Sequence, residues 1–304
     1  MEHVQVLIAG GGIGGLSAAI WCHRLGLSCL LVEKADQLGG QLLQIGNEIV
    51  DLPPRVYPHG SELLEELKRH PALQTLDPRL EEAVISIDPL SHIVTTTTNR
   101  YHADFVILAT GVSPNLIPAL AGCSRVLTTA FSTTANAASV AGQDIAVIGG
   151  GDRALESAAN LSKYANHVDI LVRRDHLRAR SQWSEKLEKL SNLRILWETE
   201  IASYEPREER VLLTLHTKRA GQPSEITVDW ILPRIGVHGN SDSFPALRTF
   251  GDGYLHTDEY QRTSPSWIYA LGDVSNGASY ASLSLAVGQA MKAVKHISQQ
   301  IHQP

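Results

Sequence analysis

Two glycine clusters carry the chemistry that is readable first. In IAGGGIGG the spacing G-x-G-x-x-G falls on Gly10, Gly12 and Gly15, and Glu33 stands 23 residues after Gly10. In GGGDRA the same spacing falls on Gly149, Gly151 and Ala154. Val172 stands 23 residues after Gly149, followed by Arg173 and Arg174, with Arg178 a turn later. Between a strand and a helix, such a cluster makes a tight turn, lets a pyrophosphate approach the backbone and packs helix on strand, with the anion against the helix N-terminus. An acid at the end of the next strand accepts both hydroxyls of an adenosine ribose and repels a 2′-phosphate. Arginines there do the reverse, because a guanidinium fork suits a phosphate. Arg153, in the first turn of the second helix, is a further candidate for the pyrophosphate. Two dinucleotide sites of opposite ribose chemistry point to a relay in which FAD holds electrons and NADPH delivers them.

The elements that must position these residues follow from hydrophobic periodicity. VQVLIA at 4–9 reads as a buried parallel strand, 12–25 as a helix and 28–32 as the next strand. The order recurs at 144–148, 152–164 and 167–172. Short β-branched runs at 79–97 and after Trp197 read as antiparallel excursions, and DFVIL at 104–108 as another buried strand. The expectation is an α/β chain of two doubly wound, three-layer Rossmann-like domains.

Composition narrows the class. A net charge of −6 argues against a nucleic-acid binder. The longest apolar stretches fall short of the roughly 18 residues a bilayer span requires. The N-terminal apolar segment lacks a basic leader and is broken by patterned glycines, so it reads as fold rather than signal peptide. Three cysteines, Cys22, Cys29 and Cys123, without C-x-x-C spacing, offer neither a disulfide framework nor a metal site. A cytoplasmic location is the default expectation.

With these motifs in hand, the chain resembles the low-molecular-weight thioredoxin reductases and the thioredoxin-reductase-type ferredoxin–NADP reductases. The resemblance rests on the first fingerprint with Glu33, LGGQL at 38–42, ATG at 109–111, the second fingerprint with VRRDHLRA at 172–179, RIGVHGN at 234–240 and ALGDV at 270–274. It implies a discontinuous FAD domain at 1–115 and 245–304, an inserted NADPH domain at 116–244, and a homodimer. It also implies that Gly39, Gly40 and Gln41 lie beside the flavin, that Gly272 and Asp273 meet its ribityl or phosphate region, and that Ala109, Thr110 and Gly111 form the crossover toward FAD. The same resemblance puts Arg173, Arg174 and Arg178 on the 2′-phosphate.

One departure decides the expected activity. Thioredoxin reductases carry a C-x-x-C pair and an aspartate upstream of the second fingerprint; ungapped counting puts those positions on Ser132, Ala135 and Asn136. A hydroxyl cannot cycle between thiol and disulfide. The expected function is hydride uptake from NADPH by FAD, with no catalytic side chain required and with electrons passed to a non-dithiol acceptor: ferredoxin, flavodoxin, a quinone or another oxidant. Two alternatives stand beside it: a flavin-binding sensor or partner-binding module without turnover, and a disulfide reductase working through Cys123 or a partner's thiols.

Overall fold

The computed structural model describes residues 1–127 and 140–302. The chain opens with β1 (Glu2–Ala9), α1 (Ile13–Arg24) and β2 (Cys29–Val32), then α2 (Gly60–Lys68) and α3 (Pro71–Gln74). It continues through β3 (Val84–Asp88), β4 (Ile93–Thr96), β5 (Arg100–Leu108) and β6 (Val112–Pro114). Next come β7 (Asp144–Ile148), α4 (Asp152–Leu161), β8 (His167–Val172), α5 (Ser181–Leu187) and β9 (Leu193–Trp197). After these follow β10 (Thr199–Arg207), β11 (Arg210–Thr217), β12 (Glu225–Val228), β13 (Trp230–Pro233) and β14 (Val237–Gly239). The last elements are β15 (Thr249–Phe250), β16 (Tyr254–Leu255), β17 (Ile268–Ala270), α6 (Asp273–Asn276) and α7 (Leu283–His302).

These elements form two units, Met1–Ser113 with Val237–Pro304, and Pro114–Gly236. In the first, the sheet runs β2-β1-β5-β4-β3. β5 changes partner along its length. Arg100 to His102 pair antiparallel with β4, whereas Val106 to Leu108 pair parallel with β17. β1 is buried on both faces from Val6 onward, as a parallel strand covered on two sides must be. On one face lie Leu16, Ala19 and Cys22 of α1 with Ala290, Val294 and Ile297 of α7. On the other lie Val94, Phe244, Leu255 and Trp267.

The second unit repeats the plan with a parallel sheet β13-β7-β8-β9. Leu155, Ala158 and Leu161 of α4 pack on one face. The other face carries Leu213, Leu215 and Val228 from the antiparallel sheet β10-β11-β12. In β11 each buried residue alternates with a more exposed one, the pattern of a strand with a single covered face. The architecture is the two-domain Rossmann-like α/β fold.

The boundaries differ from the expected ones. The chain leaves the first unit after Ser113 rather than 115, and is back in it at Val237 rather than 245. Three hydrogen bonds explain the early return. Asn240 donates from Nδ2 to the Thr110 carbonyl at 2.7 Å and from its N–H to the Gly111 carbonyl at 3.0 Å, and the Tyr254 hydroxyl donates to the Val237 carbonyl at 3.1 Å.

Candidate dinucleotide sites

Register brings four strand ends of the first unit level. Ala9 pairs with Val32 on one side and Leu108 on the other, and Leu108 pairs with Ala270. Glu33, Gly10, Ala109 and Leu271 therefore leave the sheet in one row, at the edge where open α/β sheets take their ligands. Gly10 has φ +110°, and a Cβ there would run into the Ala109 carbonyl oxygen. A Cβ on Gly15 would run into the Gly10 carbonyl oxygen, whereas one on Gly12 would meet nothing within 4 Å. Gly10 and Gly15 close the turn; Gly12 leaves room above it.

Glu33 is 7% exposed. Its Oε2 accepts the Gly11 N–H at 2.6 Å and its Oε1 the Ala35 N–H at 2.9 Å. These two donors fix the plane of the carboxylate, and each oxygen retains capacity to accept from a diol. Gly40 sits over the turn, its added Cβ falling 3.3 Å from Gly12 Cα, and Gln41 Nε2 is 3.3 Å from the corresponding point on Gly111. Gly39 donates its N–H to the Gly11 carbonyl at 2.9 Å. Thr110 is locked by its hydroxyl donating to the Asn240 carbonyl at 2.9 Å. The Gly272 N–H donates to Gln289 Oε1 at 2.8 Å, and Asp273 begins α6. The structure thus gathers the first-unit residues singled out by sequence around one row of strand ends.

In the second unit Pro233 pairs with Ile148, and Ile148 with Leu171, so Arg234 and Gly149 leave their sheet in a similar row, level with Val172 at the end of β8. Gly149 has φ +140°, and a Cβ there would run into the Arg234 carbonyl oxygen. A Cβ on Gly151 would meet nothing within 4 Å. A cavity of about 600 Å³ opens beside the turn, lined by Gly149, Gly150, Arg173, Arg174 and Arg178 among others. All three arginines are exposed. Their guanidinium groups offer fork-shaped donors to a phosphate entering that cavity. Arg153 is exposed in the first turn of α4, and Ala154 is fully buried against the turn.

Glu200 and His216 are not singled out in the sequence, and Arg234 enters only as part of RIGVHGN, with no role of its own. Glu200 on β10 pairs with His216 on β11, and both line the cavity. Glu200 Oε1 lies 3.9 Å from Arg173 Nε. Arg234 also lines the cavity and donates from Nε to the Ser157 hydroxyl at 2.9 Å. Burial, then the neighbouring charge of Arg153, pushes its pKa down to about 10, so it stays cationic at neutral pH. A T-E-I alternation marks Glu200 as a strand residue; only the pairing of β10 with β11 reveals what it faces.

The positions expected in place of a redox pair, Ser132, Ala135 and Asn136, lie outside the described residues. Cys22 on α1 and Cys29 on β2 hydrogen-bond to each other, which pushes the Cys22 thiol far above its ordinary range and lowers that of Cys29. Cys123 is half-buried and packs against the core under β10 to β12.

The pyridine nucleotide-disulphide oxidoreductase family model matches residues 4–296. A thioredoxin reductase of Treponema pallidum is 30% identical over 275 residues, covering 89% of this chain and 88% of that protein. A ferredoxin–NADP reductase of Oenococcus oeni is 28% identical over 311 residues, covering 96% and 88%. Among solved structures, the thioredoxin reductase of Lactococcus lactis superposes with a TM-score of 0.82 at 24% identity, over 99% of this chain and all of that one. The chain belongs to the pyridine nucleotide-disulphide oxidoreductase family, among the homologues of thioredoxin reductase and ferredoxin–NADP reductase.

Proposed function

We propose that this protein is an NADPH-dependent FAD oxidoreductase whose electrons leave for an acceptor other than a dithiol of its own. The observation that carries the reading is the opposite chemistry at two equivalent strand ends: a buried, backbone-fixed carboxylate at Glu33, and a cavity flanked by Arg173, Arg174 and Arg178. When bound, FAD supplies a two-electron store that takes hydride from NADPH. In this reading Glu33 holds the FAD ribose, and the open space at Gly12 admits its pyrophosphate. Gly40, Gln41, Ala109 to Gly111, Gly272 and Asp273 surround the remainder. The three arginines take the 2′-phosphate of NADPH, while the turn at Gly149 to Gly151, Arg153 and the N-terminus of α4 take its pyrophosphate. Hydride transfer asks for alignment rather than for a side-chain acid.

The acceptor follows from what the thiols can do. Ser132, Ala135 and Asn136 stand where the resemblance expects a redox pair and its acid, and a hydroxyl cannot replace a thiolate. Cys22 is fully buried in the core of the first unit and Cys29 packs against it, which suits packing better than turnover. A ferredoxin, a flavodoxin or a quinone fits the reading, as do a homodimeric assembly and a cytoplasmic setting. Among the described residues no helix is long and apolar enough to cross a membrane.

The test is anaerobic stopped-flow mixing with NADPH, followed by reoxidation with ferredoxin, flavodoxin, a quinone, a thioredoxin disulfide and oxygen in parallel. The reading expects rapid flavin bleaching and slow reoxidation by the disulfide. Absence of bleaching would overturn hydride transfer, and fast disulfide turnover abolished by Cys123→Ser would return the protein to disulfide chemistry.

A further inference from the structure

At the opposite end of the first sheet from Gly10, histidines and a carboxylate converge. His3 on β1 pairs with His102 on the adjacent parallel strand β5, and Asp104 follows two residues later on the same face. Their ligand atoms all lie within 4.8 Å of one another, the only such group of three among the described residues. His3 Nε2 and Asp104 Oδ1 are 2.8 Å apart.

The rings are held in a column. His102 stacks on His3 at 5.5 Å on one side and on His92 at 6.0 Å on the other, and His92 stacks on Trp267 at 4.0 Å. His92 Nδ1 is itself tied to the Ala103 carbonyl at 3.2 Å, and Trp267 Nε1 donates to the Pro89 carbonyl at 3.1 Å. Stacking on both faces limits the rotamers of His102, so part of the entropy of ordering a ligand is already spent.

We propose that His3, His102 and Asp104 form a surface site for a divalent transition-metal ion of the zinc class. Two imidazole nitrogens and one carboxylate oxygen are the donors such ions prefer, and three protein ligands leave a position for water. Ligand atoms about 2 Å from zinc stand roughly 3.3 Å from each other in a tetrahedron, so closing the site requires side-chain shifts of about 1 Å. The ion would clip β1 to β5. Six residue steps of β1 lead from His3 to Ala9, a distance of about 20 Å at strand rise, so the site stands apart from the dinucleotide turn.

The test uses flavin-loaded, tag-free protein stripped with a chelator and titrated calorimetrically with zinc chloride. One ion per chain in the micromolar range or tighter is expected, with a rise in melting temperature. His3→Ala, His102→Ala and Asp104→Asn should each weaken binding about tenfold or more. With Cu²⁺ as the probe, electron paramagnetic resonance should report coupling to two imidazole nitrogens in the wild type and to one in His3→Ala. His3 is an exposed side chain, so that variant decides the matter even where another fails to fold. Absence of micromolar zinc binding, or wild-type affinity and copper spectrum in His3→Ala, would overturn the proposal.

Discussion

The two glycine turns are one structure built twice. Within each βαβ unit several contacts recur at a spacing of 139 residues. The Gly10 N–H donates to the Val32 carbonyl at 2.8 Å, and Gly149 to Leu171 at 3.0 Å. Gly39 donates to Gly11 at 2.9 Å, and Arg178 to Gly150 at 2.8 Å. A Cβ on Gly11 would touch Leu38 and Glu33, and one on Gly150 would touch Leu177 and Val172. Against this common frame the exchanges stand out: Glu33 becomes Val172, Gly39 becomes Arg178 and Gly15 becomes Ala154. In the proposed reading, backbone geometry makes a turn that receives a dinucleotide, and a few side chains at the rim decide which one.

The exchange at Gly15 and Ala154 should give the largest effect. Gly15→Ala drives a methyl into the Gly10 carbonyl and should cost about 3 kcal/mol or more in urea unfolding. Ala154→Gly should cost only about 1 kcal/mol, since the second helix already accommodates a Cβ. Equal costs would show that the two turns do not differ in the space left for a Cβ.

Replacing both Arg173 and Arg174 with Ala should raise the KM for NADPH about 30-fold or more and leave that for NADH nearly unchanged, since a hydrogen bond to a charged group is worth about 1.5–3 kcal/mol. Val172→Glu makes the second turn imitate the first, with the Gly150 and Arg174 amides standing where Gly11 and Ala35 hold Glu33. Its ratio of kcat/KM for NADPH over NADH should fall about tenfold. Glu200→Gln removes the carboxylate near Arg173 and should strengthen NADPH binding about twofold to threefold, since the pair is exposed and screened. Fluorescence titration of the nucleotide measures this last effect.

The repetition explains what the sequence could and could not disclose. Gly10 and Glu33, or Gly149 and Arg173, belong to single βαβ units, so their meeting is written in local spacing. Gln41 meeting Gly111 depends on packing between distant segments and became readable only through family resemblance. Glu200 and His216 reach the cavity of the second unit through strand pairings that no local pattern announces, and the RIGVHGN motif does not disclose that Arg234 lines it. The early return at Val237 likewise depends on Asn240 bonding Thr110 and Gly111, across 130 residues for the first of these. His3, His102 and Asp104 form a group only because β1 and β5 are adjacent and in that register.

Whether the flavin is the sole redox centre is read from an anaerobic titration of the FAD-loaded protein with NADPH, following flavin absorbance to its end point. A flavin alone stores two electrons, and a flavin with an exchanging disulfide stores four. Complete bleaching by one equivalent of NADPH per FAD is expected. A requirement for two equivalents would reveal a redox-active disulfide and contradict the proposed function.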